Sequence, residues 1–142
     1  MAFVQSEDLI YMKCTDALDA AGYVLELVSA GTVQKASSGA IPFGVAAKST
    51  KDPISDTAQA NQYVAILRRG VVNVKLSSSN SAINIGNYVG TAGNGLVDKV
   101  TIDTSSVSNF YNSLKKIVGI ALESKAANSG GTIKVLLTLG EL

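Results

Sequence analysis

The sequence of 142 residues contains no histidine and only one cysteine. Without histidine the commonest general base and metal ligand is missing, and Ser-His and Cys-His nucleophilic arrangements are impossible. Zinc sites draw on clusters of cysteine and histidine, which this chain lacks. A single cysteine cannot form an intrachain disulfide, so folding does not require an oxidising compartment. We therefore expect no enzyme activity, no catalytic residue, no cofactor and no metal site.

Long apolar runs and concentrations of one charge are also missing. The longest clean apolar stretch covers residues 117–122, whereas a membrane helix needs about 20 residues. The N-terminus has neither the basic nor the apolar region of a secretory signal. Lysine and arginine number 12 against 11 acidic residues, without the basic face of a nucleic-acid binder. We expect a protein made in the cytoplasm that contacts neither membrane nor nucleic acid.

The sequence does contain the residue pattern that is typical of β-strands. A chain of this length fits one domain, and its 46% hydrophobic residues argue against disorder. Runs rich in β-branched and aromatic residues are bounded by Gly, Ser, Asn and Asp, which is typical of strands. The five clearest runs cover residues 23–28, 62–68, 71–76, 117–122 and 132–139. The fold expected is all-β with one short helix, as a small β-barrel or β-sandwich.

Local signals predict one hairpin and one helix. Asn94-Gly95 tolerates positive φ at both central positions of a tight turn, so it predicts a hairpin between the runs on either side. In residues 106–116 the apolar side chains follow helical spacing, Ser106 can cap the N-terminus and Lys115 suits the C-terminus. A further short turn is possible within residues 52–61.

The two halves of the chain show a weak internal repeat. Each half has a Tyr-Val run, a glycine turn, an apolar run centred on glycine, a polar loop and a closing run. The central runs are residues 41–49 and 116–124, with Gly44 and Gly119 at their middles. A pseudo-symmetric barrel or sandwich built from two copies explains this order. Convergence between short strands, which resemble one another, explains it equally well.

Few residues remain as candidates for chemistry. The acidic pairs Asp16 with Asp19 and Asp52 with Asp56 sit beside turn signals and lack calcium-loop spacing, so we interpret them as loop or cap residues. The glycine-rich segment 90–95 lacks the Lys-Ser/Thr ending of a phosphate-binding loop and is better explained as a hairpin. Cys14 alternates with apolar residues and is expected to be a buried small hydrophobe.

Residues 117–124 (IVGIALES) form a glycine-containing apolar run, and residues 130–137 (GGTIKVLL) follow it with a Gly-Gly turn and a run rich in valine and leucine. These stretches resemble bacteriophage capsid decoration (cement) proteins, in which a strand of the form VG-aliphatic-AL-acidic leads through a Gly-Gly turn to a final strand rich in valine and leucine. Residues 69–76 (RGVVNVKL) and 85–89 (IGNYV) are similar to upstream motifs of that family. Asn87 stands where the family usually has aspartate, and residues 106–116 match nothing in the family.

The resemblance implies a function without a reaction. Such proteins bind the outside of an assembled icosahedral capsid, bridge major capsid protein subunits and stabilise the shell, often as trimers. The expected partners are therefore the major capsid protein and further copies of the chain, as a trimer or a dimer, and the expected location is the capsid exterior of the virion. We expect residues 1–20 to form an N-terminal arm and the first strand, and 21–142 a single β-rich capsid-binding domain.

Contact residues can be suggested only from position and charge. Phe3 and Val4 lie in an N-terminal segment that either docks on a neighbouring subunit or forms a disordered tail. The suggested capsid or subunit contacts are Ala2, Phe3, Val4, Gln5, Arg68 and Arg69.

Two other functions compete with this one. A receptor- or carbohydrate-binding module of a head fibre or tail would need exposed aromatic side chains in a shallow groove, and the chain has no tryptophan. An enzyme with a carboxylate pair is the more remote alternative, because histidine is absent.

Overall fold

The structure is a computed structural model that describes residues 9–47 and 58–139. Within these residues the regular structure is mostly β, as expected, with one short helix. The elements are β1 (Leu9–Cys14), β2 (Val24–Ser29), β3 (Thr32–Lys35), β4 (Gly44–Ala47), β5 (Gln62–Leu67), β6 (Val71–Lys75), β7 (Tyr88–Gly93), β8 (Leu96–Lys99), α1 (Val107–Lys115), β9 (Ile117–Ala121) and β10 (Thr132–Leu137). The expected barrel is therefore confirmed for the first half, and a second sheet follows it.

The first five strands close a barrel in the order β1-β3-β2-β4-β5. β1 closes it by pairing antiparallel with β5, where Leu9 lies opposite Leu67, and parallel with β3, where Cys14 lies opposite Val33. A closed barrel leaves no free sheet edge along these strands, so lateral strand addition has no template there. Contacts with other molecules must use the barrel's ends and outer face.

The last five strands form a second sheet in the order β6-β10-β9-β7-β8. Its two end strands come together at one point, where Leu76 and Val97 form a parallel bridge and the Ser77 amide donates to the Val97 carbonyl at 2.9 Å. The first barrel has the same bond at the same place, from the Thr15 amide to the Val33 carbonyl at 2.9 Å. The second sheet is thus a nearly closed version of the first barrel.

The pairing order of the two halves is the same strand for strand. Hairpin β2–β3 corresponds to β7–β8, and both contain a register shift at the same point, between Leu27 and Ser29 in one and between Thr91 and Gly93 in the other. The strand after each hairpin, β4 or β9, pairs with the first strand of that hairpin, β2 or β7. It also pairs with the strand that closes the half, β5 or β10. The repeated order of runs seen in the sequence is confirmed as a repeated topology.

The residue register of the repeat differs slightly from the sequence pattern. Gly44 and Gly119 correspond, because each lies opposite the second residue of the hairpin's first strand, Leu25 and Val89. The tyrosines do not correspond, because Tyr88 occupies the position of Val24. The similar Tyr-Val pairs of the two halves are therefore one residue out of step.

Gly44 and Gly119 are glycine because a neighbouring strand passes too close for a side chain. A Cβ on Gly44 would collide with the side chain of Ile66 on β5, and a Cβ on Gly119 would collide with the backbone carbonyl of Leu136 on β10. The two halves thus share the same steric requirement at the same place.

Two apolar clusters fill the molecule. The smaller lies inside the first barrel and includes Leu25, Val33 and Ile66. The larger lies between the two halves, because Val24 and Val45 from the outer face of the first barrel pack with residues of the second sheet such as Val118. β4 and the first two residues of β2 are therefore buried on both faces, which explains why all of Gly44, Val45 and Ala46 are buried instead of alternating.

The predicted hairpin and helix are both present. Asn94 and Gly95 take positive φ values of 53° and 73° between β7 and β8. α1 begins after Ser106, whose hydroxyl accepts a hydrogen bond from the Asn109 amide at 3.0 Å, and Lys115 lies in its last turn. Of the suggested turn at 52–61, residues 52–57 lie outside the described residues. In the part of the chain that is described, no helix is long and apolar enough to cross a membrane.

Asn80 links two loops at the end of the second sheet. Its side chain is almost fully buried, donates to the carbonyls of Ser81 and Ala126, and accepts hydrogen bonds from the Ser129 and Gly130 amides at 2.9 and 3.0 Å. One amide group thus satisfies four backbone groups of loops far apart in sequence.

Replacing Gly119 or Gly44 with alanine should destabilise the fold. The added methyl group has no room at either position, and overpacking of this kind costs about 1–3 kcal/mol in free energy of unfolding. Urea unfolding of each variant would measure the loss. Lys134→Ala, an exposed change on β10, is the control and should stay within about 0.5 kcal/mol of the parent. Unchanged stability of Gly119→Ala would contradict the described approach of β9 to β10.

Replacing Asn80 with alanine should also destabilise the fold. The change leaves the Ser129 and Gly130 amides without their acceptor, and the loss of each of these part-buried hydrogen bonds costs about 0.5–1.5 kcal/mol. Asn84→Ala, at an exposed position of the same loop region, is the matched control. Thermal unfolding followed by circular dichroism would compare the two, and equal midpoints would rule out the proposed bridging role of Asn80.

Candidate contact surface

The acidic residues of the described chain serve as local hydrogen-bond acceptors. Asp16 accepts from the Lys35 amide, Glu123 from the Lys134 amide, and Asp98 from the Ser81 and Lys99 amides. These bonds hold turns and strand ends, in agreement with the loop or cap roles expected. Among the described residues no group of three or more acidic or cysteine side chains could hold a metal ion. Asp52 and Asp56 lie outside the described residues.

Cys14 lies in the core of the first barrel and is fully buried. Burial is the main cause that raises the pKa of its thiol, because the thiolate would lose its hydration. A raised pKa lowers the thiolate fraction, so the position suits packing and not nucleophilic chemistry. The expectation of a buried small hydrophobe is confirmed.

Tyr23 stands at the junction of the two halves. Its hydroxyl donates to the Asp19 carboxylate at 2.6 Å, and its ring lies under two ammonium groups, Lys35 at 4.3 Å and Lys75 at 5.3 Å from the ring centroid. The bond from Tyr23 lowers the pKa of Asp19 and raises the pKa of Tyr23 to about 12. Since Lys75 belongs to β6, this arrangement fastens the first barrel to the second sheet.

The Asp19–Tyr23 bond predicts a defined pH dependence. The raised pKa of Tyr23 stabilises the fold below the ordinary tyrosine pKa of about 10, and this stabilisation is lost as the pH rises towards about 12. The lowered pKa of Asp19 stabilises the fold at pH values above the ordinary aspartate pKa. This stabilisation is lost as the pH falls through the pKa of the folded state.

NMR titration of ring Cζ would test this at Tyr23. Its shift should stay that of the neutral phenol at pH 11, and Asp19→Asn should lower the pKa of Tyr23 towards about 10. A Tyr23 pKa near 10 in the parent protein would contradict the bond.

One end of the first barrel opens into a cleft, which we term the mouth cleft. Its volume is about 690 Å³. Leu27 and Ile41 are exposed there, at 53% and 60%, beside the basic side chains of Arg68 and Lys115. The full lining comprises Glu26, Leu27, Ala40, Ile41, Pro42, Phe43, Arg68 and Lys115. The cleft therefore combines apolar walls with positive charge.

Arg68 is held in place over Phe43. Its Nε donates to the Phe43 carbonyl at 2.8 Å, and its guanidinium carbon lies 4.5 Å from the centroid of the Phe43 ring. Both carboxylate oxygens of Glu26 accept hydrogen bonds, from the Gln34 side chain and the Ser37 amide. The lining thus carries the negative charge of Glu26 and the two positive charges of Arg68 and Lys115, an excess of one positive charge.

The mouth cleft lies where equivalent connections of the two halves meet. The β3–β4 connection (36–43) supplies Ala40 to Phe43, and the longer β8–β9 connection (100–116) contains α1 and supplies Lys115. The first connection is tied to the second sheet, because the Thr91 hydroxyl donates to the Ala40 carbonyl at 2.8 Å. The two halves differ most in the lengths of these two connections.

α1 turns its larger side chains outward. Val107 is 88% exposed, Tyr111 is exposed and Phe110 partly so, while the buried residue of the helix is Ser113. The Ser113 hydroxyl donates to the Asn109 carbonyl and accepts from the Asp103 amide, which anchors the helix to the preceding loop. We term Val107, Phe110 and Tyr111 the α1 face. The Lys115 ammonium lies 5.8 Å from the Tyr111 ring centroid, so this face adjoins the mouth cleft.

The structure brings together only part of the contact set suggested by the sequence. Arg68 lines the mouth cleft, whereas Arg69 lies beside a separate shallow depression with Gly70 and Leu136. Ala2, Phe3, Val4 and Gln5 lie outside the described residues. Sequence inspection missed Leu27, Ile41 and the α1 face as exposed apolar residues, because strand and helix patterns do not show which apolar side chains meet solvent.

Comparisons with known proteins support the fold. No family model matches the sequence, and no curated protein matches it. Among solved structures, the head fibre gp8.5 N base of bacteriophage phi29 has a similar fold, with a TM-score of 0.59 over 93% of this chain and 94% of that one. The two sequences are 15% identical, so the comparison concerns the architecture.

Proposed function

We propose that this chain is a structural protein of a tailed bacteriophage head, bound to the outside of the icosahedral capsid. The observation that carries the proposal is the shared architecture with the base of a phage head fibre, along nearly the whole length of both chains. The motifs of residues 117–124 and 130–137, which resemble capsid decoration proteins, support the same class independently. Fold alone does not determine function, so the surface has to supply the mechanism.

The proposed mechanism is adhesion through exposed apolar surface. The α1 face offers a branched and two aromatic side chains on a short helix anchored by a cap and by Ser113. Aromatic side chains contribute large contact areas at low entropic cost, and they are frequent at the centres of protein interfaces. The partner proposed for this face is the major capsid protein, whose neighbouring subunits the bound chain would bridge and stabilise.

Oligomerisation would strengthen this attachment. Several copies in one particle, as a trimer or a dimer, would bind many capsid sites at once, so weak individual contacts would add up to firm attachment.

Substitution of the α1 face should weaken binding to phage heads. Val107→Ser with Tyr111→Ser removes two exposed side chains, so stability should change little while affinity for heads falls about tenfold, or 1.4 kcal/mol. Co-sedimentation with heads of the encoding phage, before and after shell expansion, would measure binding. Ile85→Ser, which removes another exposed apolar side chain, is the matched control and should bind like the parent. Failure of the parent protein to sediment with either form of head would refute the proposed function.

A receptor- or carbohydrate-binding head-fibre module is the second candidate. Tyr63 favours it, because this aromatic ring is 72% exposed on the barrel surface opposite Lys13, and exposed aromatic rings can stack on sugars. A glycan array probed with the parent protein and with Tyr63→Ala would separate the two functions. Specific glycan binding that is lost in the variant would favour this second function over capsid adhesion.

A further inference from the structure

We propose that the mouth cleft binds an extended peptide of another protein, one that contains both aliphatic and acidic residues, by adding it as a short strand beside the end of β2. Three features of the cleft carry this inference: backbone groups of β2 that no described strand pairs, a guanidinium fixed at one wall, and exposed apolar side chains. The proposal goes beyond attachment of the α1 face to a capsid and does not depend on it.

β2 extends further than the strand beside it. It covers six residues, but β4 pairs with only its first two, Val24 and Leu25. The Phe43 amide, just before β4, still donates to the Leu25 carbonyl at 2.8 Å. Pro42, the preceding residue, has no amide hydrogen and cannot extend the pairing. The barrel is thus closed along β4, but its end is open beside residues 26–29 of β2.

The backbone of Leu27 faces this opening. Along a strand, the backbone groups of alternate residues turn to the same neighbouring strand. The Val24 carbonyl accepts from the Ala36 amide, on the β3 side, whereas the Leu25 carbonyl accepts on the β4 side. Leu27 therefore turns its amide and its carbonyl to the β4 side, where no described residue pairs with them. A donor and an acceptor presented side by side form a template for an added strand.

Arg68 places positive charge next to this template. Its Nε donates to the Phe43 carbonyl, which fixes the guanidinium over the Phe43 ring. Its two terminal nitrogens make no hydrogen bond to a described residue, and such a pair of nitrogens can bind a carboxylate through two parallel hydrogen bonds. With Lys115 and Glu26, the lining has an excess of one positive charge. An acidic ligand is therefore favoured over a basic one.

The exposed apolar walls determine the rest of the ligand's chemistry. Leu27 and Ile41 are more than half exposed in the cleft, and the Phe43 side chain packs against the core of the barrel from below. Side chains directly across two paired strands lie on the same face and contact each other. An aliphatic residue paired with Leu27 would remove this apolar surface from water, which favours binding. Acidic residues beside it would reach Arg68 and Lys115.

Fluorescence anisotropy with a labelled peptide would test the proposal. The probe is a fluorescein-labelled peptide with the sequence Asp-Ile-Asp-Val-Asp, mixed with the full chain. We expect saturable binding that Arg68→Ala weakens about tenfold, because the fixed guanidinium is lost. Lys134→Ala, which removes an exposed basic side chain of β10, is the matched control and should bind like the parent. Circular dichroism should show the parent fold in both variants, since both side chains are exposed.

Charge reversal provides a second measurement on the same site. Arg68→Glu changes the lining from an excess of one positive charge to an excess of one negative charge. The parent protein should prefer the aspartate probe over the same peptide with lysine in place of aspartate. The variant should prefer the lysine peptide, which a loss of folding would not produce.

A peptide with a modified backbone tests the strand pairing. Methylation of the isoleucine and valine backbone nitrogens keeps the side chains and charges of the probe but removes two donors. This peptide should bind about tenfold more weakly than the probe. The Leu27 amide should exchange with solvent more slowly when the unmodified probe is bound, because the added strand accepts its hydrogen bond.

Four results would overturn the proposal. These are no binding of the probe by the parent protein, equal binding of the aspartate and lysine peptides, equal binding of the methylated and unmodified peptides, and a change in the sedimentation mass of the protein alone on Leu27→Ser. The last result would show that a second copy of the chain occupies the cleft. Val107→Ser with Tyr111→Ser should leave peptide binding unchanged, so failure of attachment to phage heads can be distinguished from failure of this proposal.

Discussion

The structure depends on the burial of one outer face of the first barrel. Val24 and Val45 point away from the interior of that barrel and pack with Val118 and other residues of the second sheet, while Leu25 fills the barrel itself. β4 and the start of β2 are therefore covered on both sides, and the core of the second sheet is completed by residues of the first barrel. The Tyr23 ring between Lys35 and Lys75, and the bond from the Thr91 hydroxyl to the Ala40 carbonyl, reinforce the same junction.

This junction decides which surfaces remain available for contact. Closure of the first barrel removes its lateral edges, and the second sheet covers one of its faces. In the described structure, apolar side chains at the open end of the barrel and on α1 remain exposed to solvent. Exposed apolar side chains that lie close together are typical of contact surfaces. A protein that acts by adhesion needs such surface, whereas a protein that acts by catalysis needs converging polar groups in a pocket.

The sequence predicted the elements better than their arrangement. Strand runs, the Asn94-Gly95 turn and the Ser106 cap depend on neighbours in the chain, so local patterns were sufficient for them. The face of α1 that meets solvent, the bridging role of Asn80 and the exposure of Ile41 depend on residues distant in sequence. Of the two suggested contacts that the structure describes, Arg68 lines the cleft and Arg69 lies elsewhere, because charge marks a position without showing its neighbours.

The repeat explains why the contact surface lies where it does. Positions shared by the two halves, such as Gly44 and Gly119, are constrained by close strand packing and cannot vary freely. The β3–β4 and β8–β9 connections carry no such constraint, and they differ most in length, with α1 added to the second. Because both connections reach the same end of the molecule, differences between the halves accumulate around the mouth cleft and α1. Close strand packing, common to both halves, thus constrains each sheet, while the unequal loops create the surface available for binding.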